Sequence, residues 1–295
     1  MATAHAVELR SALEDTASLG ELLEALDFPP GAVSSFEDYE HGVGITYILC
    51  DTPAEQRAAA ARVRSMLPLW TPLLTAPLRG IAERDIERAE WSESWKRYFH
   101  AFRASRRIVI APAWEDPPET APDEILLAID PGMSFGTGSH ATTMGCLQFL
   151  DEFAETHPRA SLVDAGCGTA ILALAARRLG YAPVFAFDYD DAAVENARAN
   201  LARADVRDIS PVQADVHTVQ PPFRADLVAA NLLAHILMEA REHLVTLPRP
   251  GGMLLLSGIL AEQYPPLRDA FAALGCREIA TRPIDGWTTA LLQVP

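Results

Sequence analysis

The sequence predicts an α/β protein in which a small α+β, ferredoxin-like domain precedes a larger Rossmann-like domain. From residue 161 onward strands and helices alternate regularly, and such alternation produces a mostly parallel sheet covered by helices. Residues 6–80 instead follow the order strand, helix, strand, strand, helix, strand, which is that of a ferredoxin-like sandwich. We therefore expect an N-terminal domain at residues 1–82, a connecting helix at 83–104 and the Rossmann-like domain at 105–295.

The N-terminal elements follow from hydrophobic periodicity and turn residues. Aromatic residues recur at helical spacing from Trp91 to Phe102, and they predict that the connecting helix docks this stripe on a neighbour rather than presenting it to a partner. The predicted strands of the small domain are residues 6–11, 32–39, 43–51 and 78–89, and its predicted helices are residues 19–26 and 53–67.

The same criteria divide the second part of the chain. A hairpin about Asp285 and Gly286 should add an antiparallel strand to the otherwise parallel sheet. Besides the hairpin strands 277–283 and 288–294, the predicted strands are residues 124–129, 183–188, 209–214, 225–230 and 253–259. The predicted helices are residues 142–153, 192–204, 233–247 and 264–274.

Composition narrows the classes of function. The chain has 295 residues, 49% of them hydrophobic and 22% charged, which suits one large or two moderate domains with a proper core. A net charge of −16 makes nucleic acid an improbable main partner and suits a basic protein or a small molecule. Four cysteines without a CxxC pair, no basic-then-apolar start and no membrane-length apolar run predict a cytoplasmic protein.

Residues 162–173 carry the first ligand-binding signal. They predict a buried strand, a glycine turn and the first turn of a helix, and Gly166 and Gly168 would let backbone N–H groups approach a ligand closely. A dinucleotide fingerprint needs a further glycine where Ile171 stands, so a nicotinamide dehydrogenase is disfavoured. The pattern Asp-x-Gly-x-Gly resembles the first motif of S-adenosylmethionine-dependent methyltransferases of the seven-stranded class. An ordinary strand–turn–helix corner remains the alternative.

The second signal is the glycine-rich segment 130–143. Three glycines around Phe135 give a backbone able to fold over a ligand, and hydroxyls such as that of Thr143 are available as donors. The alternative is a mobile surface loop followed by a helix N-cap. His140 has no partner histidine at ligand spacing, so we expect no metal.

Polar side chains also follow three predicted strands. Asp188, 22 residues after Gly166, can accept both hydroxyls of a ribose. Asp215 could reach an adenine amino group, although a capping or turn aspartate is equally consistent. Asn231 could hold an amine by its N–H groups and aim its lone pair at a methyl donor, or it could simply form a turn.

Taken together, these motifs resemble the ribosomal protein L11 methyltransferase family (PrmA). The resemblance spans the whole chain, since that family also has a small N-terminal substrate-recognition domain and a connecting helix. The DPGxxFGTGxH and SGIL patterns are more specific than the glycine turn. The segments that carry it are residues 130–143, 163–168, 187–190, 230–234, 250–252 and 256–260.

The resemblance implies repeated methyl transfer from S-adenosylmethionine to lysine side chains and the N-terminal amine of L11, a basic protein. By motif position Asn231 would lie near the incoming amine as the catalytic residue, and Phe135 would cover the cofactor. The resulting set of cofactor-binding candidates is Phe135, Thr143, Gly166, Gly168, Asp188, Asp215 and Asn231. The chain departs from the family pattern at Ser139, Ala141 and Ala170, and at the Asp285-Gly286 pair, where the family usually has two acids before the tryptophan. These changes leave room for a shifted substrate.

Two other functions are consistent with the residues. One is a methyltransferase of the same fold that acts on another protein lysine or amine. The other is a non-catalytic protein that binds S-adenosylmethionine or the ribosome, which cofactor turnover would exclude. Nothing in the sequence demands more than a monomer.

Overall fold

The computed structural model describes residues 3–24, 26, 28–29, 32–38, 41–87, 100–130 and 140–295. The chain divides into two compact units, Met1–His100 and Ala101–Pro295. Among the described residues no helix is both long and apolar enough to cross a membrane.

The first unit is an antiparallel sheet with two helices in the predicted βαββαβ order. The strands are arranged β2-β3-β1-β4, as expected of a ferredoxin-like sandwich. Its elements are β1 (Thr3–Ala12), α1 (Thr16–Glu24), β2 (Val33–Asp38), β3 (Val43–Cys50), α2 (Pro53–Trp70) and β4 (Gly80–Glu87).

Helix α2 begins with a side-chain cap, and one buried polar side chain ties it to the sheet. The Thr52 hydroxyl accepts a hydrogen bond from the backbone N–H of Glu55 at 3.2 Å, and Pro53 occupies the first turn, where its missing N–H costs nothing. The Gln56 side chain is buried beneath the helix and donates to the carbonyls of Ala6 and Arg84, at 2.9 Å and 2.8 Å. It therefore links β1 and β4 at the point where the helix crosses them.

The predicted connecting helix at residues 83–104 is wrong at both of its ends. Residues 83–87 belong to β4, whose pairing with β1 continues to Glu87, and Phe102–Arg103 forms β5. Hydrogen bonding to neighbouring strands places these residues in sheets, and it overrides the helical spacing of Phe102. Residues 88–99, which include Trp91, lie outside the described part of the chain.

The second unit contains a seven-stranded sheet with the order β10-β9-β8-β11-β12-β14-β13. Its first five strands run parallel, and β14 lies antiparallel to both of its neighbours. The strands are β8 (Leu162–Ala165), β9 (Val184–Asp188), β10 (Val212–Gln213), β11 (Ala225–Asn231), β12 (Pro248–Leu260), β13 (Arg277–Ile284) and β14 (Trp287–Gln293). The Rossmann-like architecture and its terminal hairpin are confirmed.

The strand order reverses between β8 and β11, and ligands of open α/β sheets bind at the carboxyl ends of strands beside such a reversal. The helices around the sheet are α3 (Ala141–Thr156), α4 (Ile171–Arg178), α5 (Asp191–Arg203), α6 (Ala234–Leu244) and α7 (Tyr264–Ala273). Central strands β11 and β12 carry unbroken apolar runs because helices cover both faces. This core fixes the strand ends where the candidate residues lie.

Two features differ from the expected strands. Residues 209–214 contribute only the two-residue strand β10, and β12 begins at Pro248, inside the segment predicted to end the preceding helix. A second sheet, β5-β6-β7, includes β6 (Ile108–Pro112) and β7 (Ile125–Ile129). Its strand β7 packs against α4, and the turn between β5 and β6 is bonded to Asp151 of α3. Of the strands in this sheet only β7 was expected; β5, with two residues, is too short to show a period.

Candidate active site

The glycine turn connects β8 to α4 in a conformation that requires glycine. Gly166 and Gly168 have φ angles of 73° and 52°, in the left-handed region that L residues rarely adopt. The N–H groups of Gly166 and Cys167 both donate to the Phe187 carbonyl, at 3.0 Å and 2.9 Å, and tie the turn to β9. A Cβ at position 166 would overlap the side chain of Leu232. The turn is therefore clamped between two neighbouring strand ends.

Asp164 caps the following helix from the strand that precedes the turn. The residue at the N-cap position, Ala170, is left-handed at φ 62° and offers no side-chain acceptor. The Asp164 carboxylate accepts the N–H of Ala173 at 2.9 Å and so satisfies one of the free donors of the first turn. Burial raises the pKa of Asp164 to about 7, and the nearby charge of Asp188 acts in the same direction.

Asp188 lies where the sequence predicts a ribose acceptor. It is the last residue of β9, and its two carboxylate oxygens accept the N–H groups of Gly168 at 2.8 Å and Asp190 at 3.0 Å. The structure thus brings Asp188 and Gly168, two of the predicted site residues, into direct contact.

Asp215 follows the neighbouring strand β10, in which Gln213 pairs with Asp188. Its carboxylate accepts the backbone N–H of His217 at 2.9 Å and contacts the His217 ring at 2.7 Å. These two hydrogen bonds lower the pKa of Asp215. The arrangement is that of a turn aspartate, which was the open alternative for this residue.

Asn231 ends β11 and contacts a residue of the glycine-rich segment. Its side-chain Nδ2 donates to Thr143 Oγ1 at 3.3 Å, which fixes the orientation of the carboxamide. The other amide atom, Oδ1, is buried and has no hydrogen-bond partner within the described residues. An unsatisfied buried acceptor costs about 1–3 kcal/mol, so Asn231 Oδ1 is suited to an incoming N–H donor.

Two hydroxyl groups near the Asn231–Thr143 contact, on β12 and β14, hold α3 against the sheet. Ser257, which pairs with Asn231 across β11 and β12, donates to the Thr142 carbonyl at 3.1 Å and lies 2.7 Å from Thr289 Oγ1. A Cβ at Gly145 would lie 2.9 Å from Thr289 Cβ, so only glycine permits this approach. Ser257 lies in the SGIL pattern, but no sequence signal pointed to Thr289.

His140 begins α3 as a neutral cap. Its Nδ1 lies 2.8 Å from Thr142 Oγ1 and accepts the Thr142 N–H at 3.4 Å, while its ring meets the edge of Trp287 with centroids 5.1 Å apart. Burial lowers the pKa of His140 to about 4, although Asp285 opposes the shift. Among the described residues no group of three histidine, cysteine or acidic side chains could hold a metal ion.

The residues present fit S-adenosylmethionine. Two left-handed glycines, a carboxylate at the end of β9 and an amide oxygen at the end of β11 lie along one edge of the sheet, and that oxygen is unsatisfied among the residues that the structure describes. Phe135, expected to cover the cofactor, lies outside the described residues. Fold and site together define a seven-stranded S-adenosylmethionine-dependent methyltransferase.

The comparisons with known proteins name the family. The sequence model described as "Ribosomal protein L11 methyltransferase (PrmA)" matches residues 45–294, and the chain belongs to this family. The L11 methyltransferase of Limosilactobacillus fermentum is 32% identical over 293 residues, 96% of this chain and 89% of its own. That of Pelobacter propionicus is 43% identical over 201 residues, and the match spans 67% of this chain and 63% of that protein.

A solved structure agrees with the family assignment. The crystal structure of a ribosomal protein L11 methylase from Lactobacillus delbrueckii subsp. bulgaricus superposes with a TM-score of 0.60 at 28% identity. It covers 67% of this chain and 100% of that one. The chain is therefore an S-adenosylmethionine-dependent protein methyltransferase.

Proposed function

We propose that this chain methylates the amines of ribosomal protein L11, its lysine side chains and N-terminus, with Asn231 as the residue that holds the reacting nitrogen. The observation that carries the proposal is the buried Oδ1 of Asn231 at the carboxyl end of β11, which has no hydrogen-bond partner in the described part of the chain. S-adenosylmethionine, when bound, supplies an activated methyl group on a sulfonium. The work left to the protein is to bind, orient and desolvate the two reactants.

The remaining assignments follow from position. Gly166, Gly168 and Asp188 would hold the nucleoside and amino-acid parts of the cofactor, with Asp215 on the adenine side. Thr143 and Phe135, both in the glycine-rich segment, would lie against the cofactor. The first unit would recognise the substrate. The acidic net charge of −16 favours a basic substrate protein over nucleic acid, and a cytoplasmic monomer suits action on a ribosomal protein.

The amine must reach the site without its proton. A free lysine amine has a pKa near ~10.4, and a site that excludes water disfavours the charged form. A neutral amine has N–H groups for Asn231 Oδ1 and keeps a lone pair for the methyl carbon. Asn231 itself is kept in this orientation by the bond from its Nδ2 to Thr143 Oγ1. The expected gain comes from alignment of the two reactants.

Intact-protein mass spectrometry of unmethylated L11, incubated with the enzyme and S-adenosylmethionine, tests the proposal. We expect successive mass increments of one methylene, because each methyl replaces a hydrogen, and we expect Asn231→Ala to slow them by about 100-fold or more. Lys96 is the only lysine of this chain, so self-methylation would be confined to Lys96 and the N-terminus and is easily distinguished.

The alternatives predict different results. Cofactor binding by calorimetry without any mass change of L11 would direct the search to another protein or amine substrate. Binding without turnover on any amine substrate would indicate the non-catalytic alternative. Absence of cofactor binding would overturn the proposal.

A further inference from the structure

A second buried asparagine, Asn200 on α5, joins the two glycine-rich segments of the site. Its side chain is fully buried, and residue 200 lies 70 positions from Asp130 and 31 from Thr169. Asp130 is the residue from which the sequence 131–139 departs, and Thr169 lies inside the glycine turn. No sequence pattern marked Asn200 as functional.

The hydrogen bonds of Asn200 use its full bonding capacity. Oδ1 accepts the Asp130 N–H at 3.1 Å, and Nδ2 donates to the Asp130 carbonyl at 3.0 Å, so the amide pairs with that backbone as a neighbouring strand would. Nδ2 also donates to the Thr169 carbonyl at 3.1 Å, and Oδ1 accepts from Arg203 at 2.8 Å. A carboxamide offers two donors and two acceptor lone pairs, and all four are engaged.

These contacts fix the separation of Asp130 and Thr169, because the same Asn200 side chain binds the backbone of both. The far end of the same glycine-rich segment is held independently, because His140 caps α3 and Ser257 binds the Thr142 carbonyl. The described residues on either side of 131–139 are thus each held by hydrogen bonds, and Asn200 ties Asp130 to the glycine turn.

We propose that Asn200 is a positioning residue for cofactor binding, which holds Asp130 at a fixed distance from Thr169 of the glycine turn. This inference rests on the proposed function. Its consequence is a selective one: loss of Asn200 should weaken cofactor affinity while the methyl-transfer step at saturating cofactor is largely retained. Asn231 and Thr143, which contact neither Asn200 nor its partners in the described network, should continue to align the amine.

Asn200→Asp and Asn200→Ala test the assignment. The aspartate variant keeps the size of the side chain but replaces both donors with an acceptor that faces the carbonyls of Asp130 and Thr169. We expect a Kd for S-adenosylhomocysteine at least about tenfold higher by calorimetry, and a KM for S-adenosylmethionine raised to match. We expect kcat on L11 to fall less than about threefold.

Two further variants separate positioning from general destabilisation. Arg203→Gln removes the hydrogen bond to Asn200 Oδ1 and the ion pair with Asp130 from a partly exposed side chain, and should raise the Kd by a few-fold in a protein that folds. Asp226→Asn weakens a half-buried network at the amino ends of the strands, where the carboxylate accepts from Ser161 and pairs with Arg249, and should leave the Kd unchanged.

The outcomes distinguish a failure of the proposed function from a failure of the role assigned to Asn200. Failure of the wild-type protein to bind S-adenosylhomocysteine would overturn the proposed function and this inference with it. Normal binding by the wild type, with Arg203→Gln and folded Asn200 variants within about twofold of it, would overturn the role of Asn200 alone. An equal loss of affinity in Asp226→Asn would show that the effect is one of stability and would also overturn it.

Discussion

The Asn231 carboxamide is oriented by Thr143, whose hydroxyl accepts from Nδ2 at 3.3 Å while Oδ1 is left buried without a partner among the described residues. If Nδ2 and Oδ1 of Asn231 were exchanged, the N–H groups of Asn231 would face the N–H groups of the incoming amine, and neither could accept from the other. The Thr143 hydroxyl therefore helps determine which end of Asn231 the substrate meets.

Thr143→Val should reduce turnover with little loss of stability. Valine keeps the buried volume but cannot accept from Asn231 Nδ2, so the carboxamide loses its preferred orientation. We expect kcat on L11 to fall by about tenfold, measured by mass spectrometry at saturating cofactor. Thr142→Val is the matched control, since that buried hydroxyl contacts His140 and not Asn231. Equal kcat values for the two variants would contradict the orienting role.

Asp188→Asn should weaken cofactor affinity. A carboxylate can accept from both ribose hydroxyls and also from the Gly168 N–H, and the neutral amide loses one acceptor and the charge. Hydrogen bonds to charged groups contribute about 1.5–3 kcal/mol, which corresponds to a Kd for S-adenosylhomocysteine raised by about 10- to 100-fold. Calorimetry measures this directly.

Asp190→Asn provides the control for charge. Asp190 lies two residues further on and caps α5 through the Ala192 N–H, a role that asparagine fills equally well. We expect its Kd to stay within about twofold of the wild type. A similar loss in both variants would mean that overall charge, and not the position of Asp188, controls affinity.

Gly145→Ala should destabilise the second unit. The added Cβ would lie 2.9 Å from Thr289 Cβ and would overlap the Thr289 hydroxyl, so the hydroxyl contact with Ser257 must open. Overpacking of this kind costs about 1–3 kcal/mol of unfolding free energy, which denaturant titration measures. Gly80→Ala is the control, because no atom of the described residues lies within 4 Å of a Cβ there, and we expect no loss. Equal stability of the two variants would refute the packing argument.

The sequence located some site residues and missed others for a physical reason. Asp188 and Asn231 could be placed because each ends a strand of a parallel sheet, and strand ends converge at one edge whatever the details of packing. Asn200 and Thr289 could not, since their roles depend on contacts across 70 and 32 residues that no local period records. Strand β12 was predicted to begin too late because Pro248 suggests a break, whereas it pairs with Ala225 at the start of the neighbouring strand.

Asp164 makes the stability of the protein depend on pH. Burial raises its folded-state pKa from 3.8 to about 7, so the folded protein retains a proton that the unfolded chain has lost over this interval. The contribution of this group to stability is therefore fully present below about pH 4 and is lost as the pH rises through about 7.

Asp164→Asn should remove this loss, because asparagine stays neutral and its Oδ1 can still accept the Ala173 N–H. Relative to the wild type, the variant should gain about 2 kcal/mol of unfolding free energy between pH 5 and pH 8, measured by denaturant titration at both pH values. Asp226→Asn is the control: although burial opposes it, hydrogen bonds from Ser161 and Arg249 lower the pKa of Asp226, so its effect should not change over this range. If the unfolding free energy of Asp164→Asn differed from that of the wild type by the same amount at both pH values, Asp164 would already be ionised at pH 5. The cap that it provides would then be charged throughout.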